Sequence, residues 1–324
     1  MSAPLDLWPE GFEELLKARL ETFKSEFGKA RALFDADETL WHGDIVEAHY
    51  ALMEVERRED AFNFQGHPSL ATGSEESMVA YYQRLYAAQG VDIAFEWACD
   101  VYGGHRLKDI ADEAAILFDQ SRKDLENLSY PRPKFYAAQR QLLVWLKDND
   151  VEAWVISASP EVLIHAALVA LKLTDVLPLH RALGVNYALM CDDSEINTLE
   201  LRREKPDAGD TLIELLHNPN VSVTAKRCGP LTWQEGKVEG FRLFHSQDDR
   251  PFLVAGDSPN DFAMQFLTPH TCGLRVRIAK DVSHEAKRLE ATQDRAKREG
   301  WSHSVDEDLK GWVDIDPKPW RAQQ

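Results

Sequence analysis

Three short apolar runs in this chain of 324 residues each stop abruptly at a polar cluster, and that pattern narrows the fold more than any other feature. Ala30-Arg-Ala-Leu-Phe34 runs into Asp35-Ala-Asp-Glu-Thr39, Glu152-Ala-Trp-Val-Ile into Ser157-Ala-Ser159, and Pro251-Phe-Leu-Val-Ala255 into Gly256-Asp-Ser-Pro-Asn-Asp261. Each reads as a buried strand. Pro160 suits the first turn of a helix after the second run. Strand, polar turn and helix in succession are the signature of a parallel sheet with crossover helices. Parallel strands point the same way, so their polar ends meet along one edge of the sheet. The expected fold is therefore α/β.

The remainder divides by character. Glu10 to Phe27 carries Phe12, Leu15, Leu16, Leu20 and Phe23 at helical spacing, and Gly28 ends it. From Trp41 to about Tyr130 the chain reads as helices over 44–58, 77–89, 93–101 and 107–125, with turns at Gly66-His-Pro-Ser and Tyr102-Gly-Gly-His105. Another helix follows Pro131-Arg-Pro133. Arg181 to Met190 and Val221 to Cys228 read as a hairpin interrupted by a polar insert, and Cys272 to Ile278 as a further strand. Asp281 to Glu299 is a charged helix, and the tryptophan-rich stretch beyond Gly300 carries no readable pattern. The expected domains are a core at 1–41 and 131–324 and a helical cap at 42–130.

Convergence of three strand ends brings Asp35, Asp37, Thr39, Ser157, Asp257 and Asp261 together. Four carboxylates in one place repel, which calls for a bound cation or for protonation of a member. An all-oxygen cluster without histidine or cysteine selects a hard ion, and Mg2+ is the natural choice. Phosphoryl transfer suits such a site. One carboxylate attacks phosphorus, a neighbour two residues on protonates the departing oxygen and later activates water, and a lysine with hydroxyl and amide donors stabilises the charge.

These residues also carry a family resemblance. Phe34-Asp35-Ala36-Asp37-Glu38-Thr39-Leu40 resembles the first motif of haloacid dehalogenase superfamily phosphatases, D-x-D-x-T after an apolar strand. Val155-Ile-Ser157-Ala-Ser-Pro160 resembles the second motif and Gly256-Asp257-Ser-Pro-Asn260-Asp261 the fourth. Gln234-Glu-Gly-Lys237 resembles the third, its lysine twenty residues ahead of Asp257. The stretch between the first two motifs resembles the C1-type helical cap of the phosphoserine phosphatase branch. In overall layout the chain is similar to phosphorylcholine phosphatases within that branch.

The resemblance implies a Rossmann-like core with Asp35 as nucleophile and Asp37 as general acid/base. Mg2+ would be held by Asp35, Asp257, the backbone carbonyl of Asp37 and, just behind, Asp261. Thr39, Ser157, Ala158, Lys237 and Asn260 would contact phosphate. The product of this reading is a small phosphorylated metabolite hydrolysed through an aspartyl phosphate. A phosphomutase or phosphotransferase would carry the same motifs. A non-catalytic protein that binds a phosphorylated metabolite is the rival from another class, and the retention of both Asp35 and Asp37 speaks against it.

Composition sets the outer limits. The 37 basic against 55 acidic residues give a formal charge of −18, and there is no basic run, which argues against a nucleic-acid partner. A protein this acidic handles an anion only with local positive charge, from a metal or a placed lysine. Lys205 and Lys226 rival Lys237 for that role. Cys99, Cys191, Cys228 and Cys272 form no C-x-x-C pair and read as reduced thiols. No apolar run is long enough for a membrane span, so the expected location is cytoplasmic. The cap aromatics Phe62, Phe64, Tyr81, Tyr82, Tyr86, Phe95, Trp97 and Tyr102 would suit a cage for a quaternary ammonium, with Glu75 or Glu76 nearby. Small helical domains more often use such residues as core. His42, His49 and His105 are candidate substrate contacts that more commonly serve structure, and Ser157 or Ser159 would also cap the helix begun at Pro160.

Overall fold

A computed structural model describes residues 5–56, 77–278 and 284–322. The sheet has the order Trp312–Ile315, Leu274–Ile278, Leu253–Gly256, Ala30–Phe34, Val151–Pro160, Ala182–Val185. Pairings from Trp312–Ile315 across to Val151–Pro160 are all parallel. The expected α/β class with a parallel sheet is what the chain adopts.

The chain separates into two compact units, one of 1–42, 135–156 and 232–324, the other of 43–134 and 157–231. The first unit holds the five strands up to Val151–Ile156. Ala30–Phe34 lies centrally, with Phe34 opposite Val155 on one side and Ala255 on the other. Strands covered on both faces have no use for polar side chains, which is why Ala30, Ala32, Leu33 and Phe34 are all fully buried. The helix Phe12–Phe27 turns Phe12, Leu16, Leu20 and Phe23 inward. Gly28 closes it at φ 76°, its N–H bonded to the Lys24 carbonyl at 3.0 Å, a conformation that suits glycine. The stretch beyond Gly300, unreadable in sequence, supplies the outermost strand Trp312–Ile315 and the short helix Lys318–Ala322.

The second unit contains the helices Ile45–Glu56, Met78–Gln89, Val91–Asp100 and Leu107–Phe118. It also contains an antiparallel sheet in which Tyr187–Cys191 lies between Ser194–Ile196 and Val221–Arg227. The interrupted hairpin read from the sequence is this sheet, its insert forming the helices Thr198–Glu204 and Gly209–His217. Tyr50, Tyr81, Tyr82, Trp97 and Tyr102 are buried together, with Trp97 ring centroids 4.9 Å from Tyr81 and 5.6 Å from Tyr50. They are core. Phe62, Phe64, Glu75 and Glu76 lie outside the described residues. His49 is fully buried with both ring nitrogens engaged, by Tyr102 Oη at 2.8 Å and Glu113 Oε2 at 2.9 Å, so its place is structural. No described helix is long and apolar enough to cross a membrane.

Candidate active site

Asp35 begins where the central strand stops. Its backbone N–H still bonds the Ala255 carbonyl at 2.9 Å, continuing the parallel ladder one residue past Phe34 and bringing Asp35 alongside Gly256-Asp257. The chain then tightens into a turn, with Thr39 and Leu40 N–H groups both on the Ala36 carbonyl. The opposite partner is built by a capping arrangement. Ser258 Oγ accepts the Asn260 N–H at 3.3 Å, while Asp261 Oδ2 accepts the N–H groups of Asp257 and Ser258 at 3.0 and 3.1 Å. Gly256 has to lack a side chain here, because a Cβ would collide with the Asp261 carboxylate.

Carboxylate oxygens of Asp35, Asp257 and Asp261 lie within 4.8 Å of one another, all three residues buried. Lys237, on the helix Glu235–Arg242 and only 2 % exposed, sits between two of them. Its Nζ is 2.8 Å from Asp35 Oδ1 and 2.6 Å from Asp261 Oδ1. Of the three lysines considered, Lys205 is exposed, and Lys226, also exposed, pairs with Glu195; only Lys237 reaches the carboxylates. Asp261 thus uses one oxygen for the lysine and the other for the Asp257 loop. It braces both.

Three carboxylates face one ammonium, and the electrostatics show the imbalance. Burial, with Asp261 and Asp37 adding repulsion that Lys237 only partly offsets, raises the Asp35 carboxyl to about 7. Burial works against the Lys237 charge, yet Asp261 and Asp35 beside it hold the ammonium above its ordinary value. A hard divalent cation among these oxygens would remove the excess negative charge, and the donor set fits one in kind: oxygen only, buried, and within 4.8 Å of one another.

The other predicted residues fall as follows. Asp37 is half-buried, and its Oδ1 accepts the Trp41 indole N–H at 2.7 Å. Thr39 is fully buried, and its Oγ1 has no partner among the described residues. Asn260 is half-buried in the loop behind Asp257. Ser157 and Ala158 belong to the second unit, on the strand Val151–Pro160. Ser157 Oγ accepts the Ser159 N–H at 3.1 Å, and the Ala158 carbonyl accepts the Cys99 thiol at 3.6 Å. Ser157–Pro160 stays extended, and Pro160 takes the N-cap position of the following helix.

Sequence reasoning missed the surroundings of Glu38. This residue sits inside the first motif with φ 57°, buried, and Arg321 Nη2 and His42 Nδ1 both lie 3.0 Å from its Oε2. Nothing local announces a partner 283 residues away.

No family model matches the chain. It is 25 % identical over 273 residues to phosphorylcholine phosphatase of Pseudomonas aeruginosa, covering 79 % of this chain and 75 % of that protein. Among solved structures, a conserved protein of unknown function from Anaerococcus prevotii aligns with TM-score 0.55 at 14 % identity, over 90 % of each chain. A HAD family hydrolase from Salmonella enterica serovar Typhi aligns at TM-score 0.44 and 13 % identity, over 87 % of this chain and 76 % of that one. In motif order, parallel fold and this similarity the chain resembles haloacid dehalogenase-type phosphatases, a class of phosphoric monoester hydrolases. Within that class, one protein it is similar to is phosphorylcholine phosphatase.

Proposed function

We propose that this chain is a Mg2+-dependent phosphatase that hydrolyses a small organic phosphate monoester through phosphorylated Asp35. The observation that carries the reading is the buried grouping of Asp35, Asp257 and Asp261 with Lys237 bridging Asp35 and Asp261. Asp35 and Asp257 would hold the cation, with Asp261 behind them. When bound, the ion offsets repulsion between these carboxylates and an approaching phosphate.

In the first step an Asp35 oxygen bonds to phosphorus and the ester oxygen leaves, taking the proton of the Asp37 carboxyl. In the second, Asp37, now a carboxylate, takes a proton from water, whose oxygen attacks phosphorus and frees Asp35 and inorganic phosphate. The Trp41 N–H donates to Asp37 Oδ1 and holds that oxygen as an acceptor. Lys237 balances charge on Asp35 and on the transferring group. Thr39, Ser157, Ala158 and Asn260 are the further phosphate contacts of this reading. The identity of the relative makes phosphocholine one ester to test.

The decisive experiment incubates the protein with Mg2+ and p-nitrophenyl phosphate, phosphocholine and phosphoserine, with no acceptor alcohol, and measures inorganic phosphate. Phosphate release that requires Mg2+, together with acid-quenched radiolabel on the wild type but not on Asp35→Asn, is the expected result. Turnover that persists in Asp35→Asn overturns the mechanism. A new phosphate ester formed on an added alcohol, with no inorganic phosphate released in its absence, makes the protein a phosphotransferase.

A further inference from the structure

We propose that Arg321 is a positioning residue for Asp37, acting through Glu38, so that a segment nearly three hundred residues downstream sets the geometry of the general acid. The inference rests on the reading of Asp37 just given.

Glu38 stands between Asp37 and Thr39 in the chain, and any movement of its backbone moves both. That backbone is in the left-handed region, φ 57°, which a residue with a side chain adopts only where its surroundings insist. The insistence comes from the side chain. Glu38 is 8 % exposed, and a buried carboxylate has to be paired. Its Oε2 takes Arg321 Nη2 and lies within 3.0 Å of His42 Nδ1 as well. His42 is 41 % exposed at its side chain and carries charge only when protonated, whereas the Arg321 guanidinium is always charged.

Arg321 is itself held. Its Nε donates to Tyr136 Oη at 3.2 Å, and the Tyr136 backbone N–H donates to the Leu40 carbonyl at 3.0 Å, which ties off the far side of the same turn. The neighbouring Trp320 donates its indole N–H to the Leu7 carbonyl at 2.9 Å and packs its ring against Trp8 and Tyr136, at 5.0 and 5.5 Å. The helix Lys318–Ala322 is therefore anchored on its own account and offers Arg321 as a fixed point. Without that point, Glu38 would turn toward water and its strained backbone would relax. Asp37, bonded on one oxygen to Trp41, would shift relative to Asp35 while Asp35, Asp257 and Asp261 kept their places.

A residue that places the acid matters most when the leaving group needs a proton. Phenolate is a strong base and p-nitrophenolate a much weaker one, so kcat/KM for phenyl phosphate against p-nitrophenyl phosphate reads the acid step. Arg321→Met should lower kcat/KM about tenfold for phenyl phosphate and less than about threefold for p-nitrophenyl phosphate, and Arg321→Lys should restore most of the difference. Glu38→Gln, which keeps shape and loses charge, should give the same selective loss and serves if Arg321→Met folds poorly. Asp37→Asn is run alongside. If Asp37→Asn discriminates between the two esters while both Arg321→Met and Glu38→Gln lose equally on each, or lose nothing, the positioning role is wrong. If Asp37→Asn does not discriminate either, Asp37 is not the acid, and the proposal falls with that assignment.

Discussion

Each of the two units buries a cluster of charge, and the two clusters are built on opposite plans. In the second unit Glu161 and Arg202, 2 % and 1 % exposed at their side chains, form an ion pair, one charge against one. Glu161 Oε1 also accepts Asn186 Nδ2 at 2.6 Å and Thr198 Oγ1 at 3.0 Å, and Arg202 Nη1 donates to the Ala182 carbonyl at 3.1 Å. His165 beside them is kept neutral, pushed down to about 4 by burial and by Arg202 against the pull of Glu161. The adjoining cavity, about 10 Å³, has room for one water at most. In the first unit three carboxylates are grouped and one lysine pairs with two of them. A balanced cluster completes itself and serves structure. An unbalanced one calls for a cation or for a proton on one of its members.

The sharpest way to break this contrast is to remove one member of each. Asp35→Asn should lower kcat at least about a thousandfold with no loss of melting temperature in Mg2+-free buffer, because it takes one charge from a crowded group. Steady-state kinetics and a thermal melt on the same sample check both halves. Arg202→Met should do the reverse to the fold, costing about 3–5 kcal/mol in denaturant unfolding because it leaves Glu161 buried and unpaired.

Acid should reach the two clusters differently. His165 has a folded value near 4 against an ordinary 6.5, so between those limits the unfolded chain binds a proton that the folded one refuses. Its contribution to stability is whole above pH 6.5 and is lost as pH falls toward 4, on the order of 3 kcal/mol in all. Denaturant titrations at pH 7, 5.5 and 4.5 should show that slope in the wild type and a shallower one in His165→Gln. The smallest effect sharpens the other side. Mg2+ at a hundred times its dissociation constant should stabilise the wild type by about 2.7 kcal/mol and do nothing for Asp257→Asn, read as a shift in melting temperature.

How far the sequence could be read follows the same division. Asp35, Asp257 and Asp261 were legible because each follows a short apolar strand, and a strand end is a local signal. Lys237 was legible by its distance from Asp257, and the helix Glu235–Arg242 turns it inward where Lys205 and Lys226 stay in water. Trp41 lies next to the first motif, but its hydrogen bond to Asp37 was not legible from that position. The rest was not local. Trp312–Ile315 is a strand only because it pairs with Leu274–Ile278, and its four residues have no alternation to betray it. Glu161, Asn186 and Arg202 each looked like an ordinary polar residue, and only the folding of the second unit makes them one cluster. Glu38 lay in plain view inside a motif, yet its partner could not be found by any window shorter than the chain between them.

That last contact has a consequence for how the protein comes into being. Glu38 leaves the ribosome 283 residues before Arg321 does. At about 5–20 residues per second, the interval is roughly 15 to 60 seconds. Throughout it, the turn between Asp35 and Thr39 exists without its brace, and Asp35 waits as well for Lys237 and Ala255, so the site can close only after all of these residues have emerged.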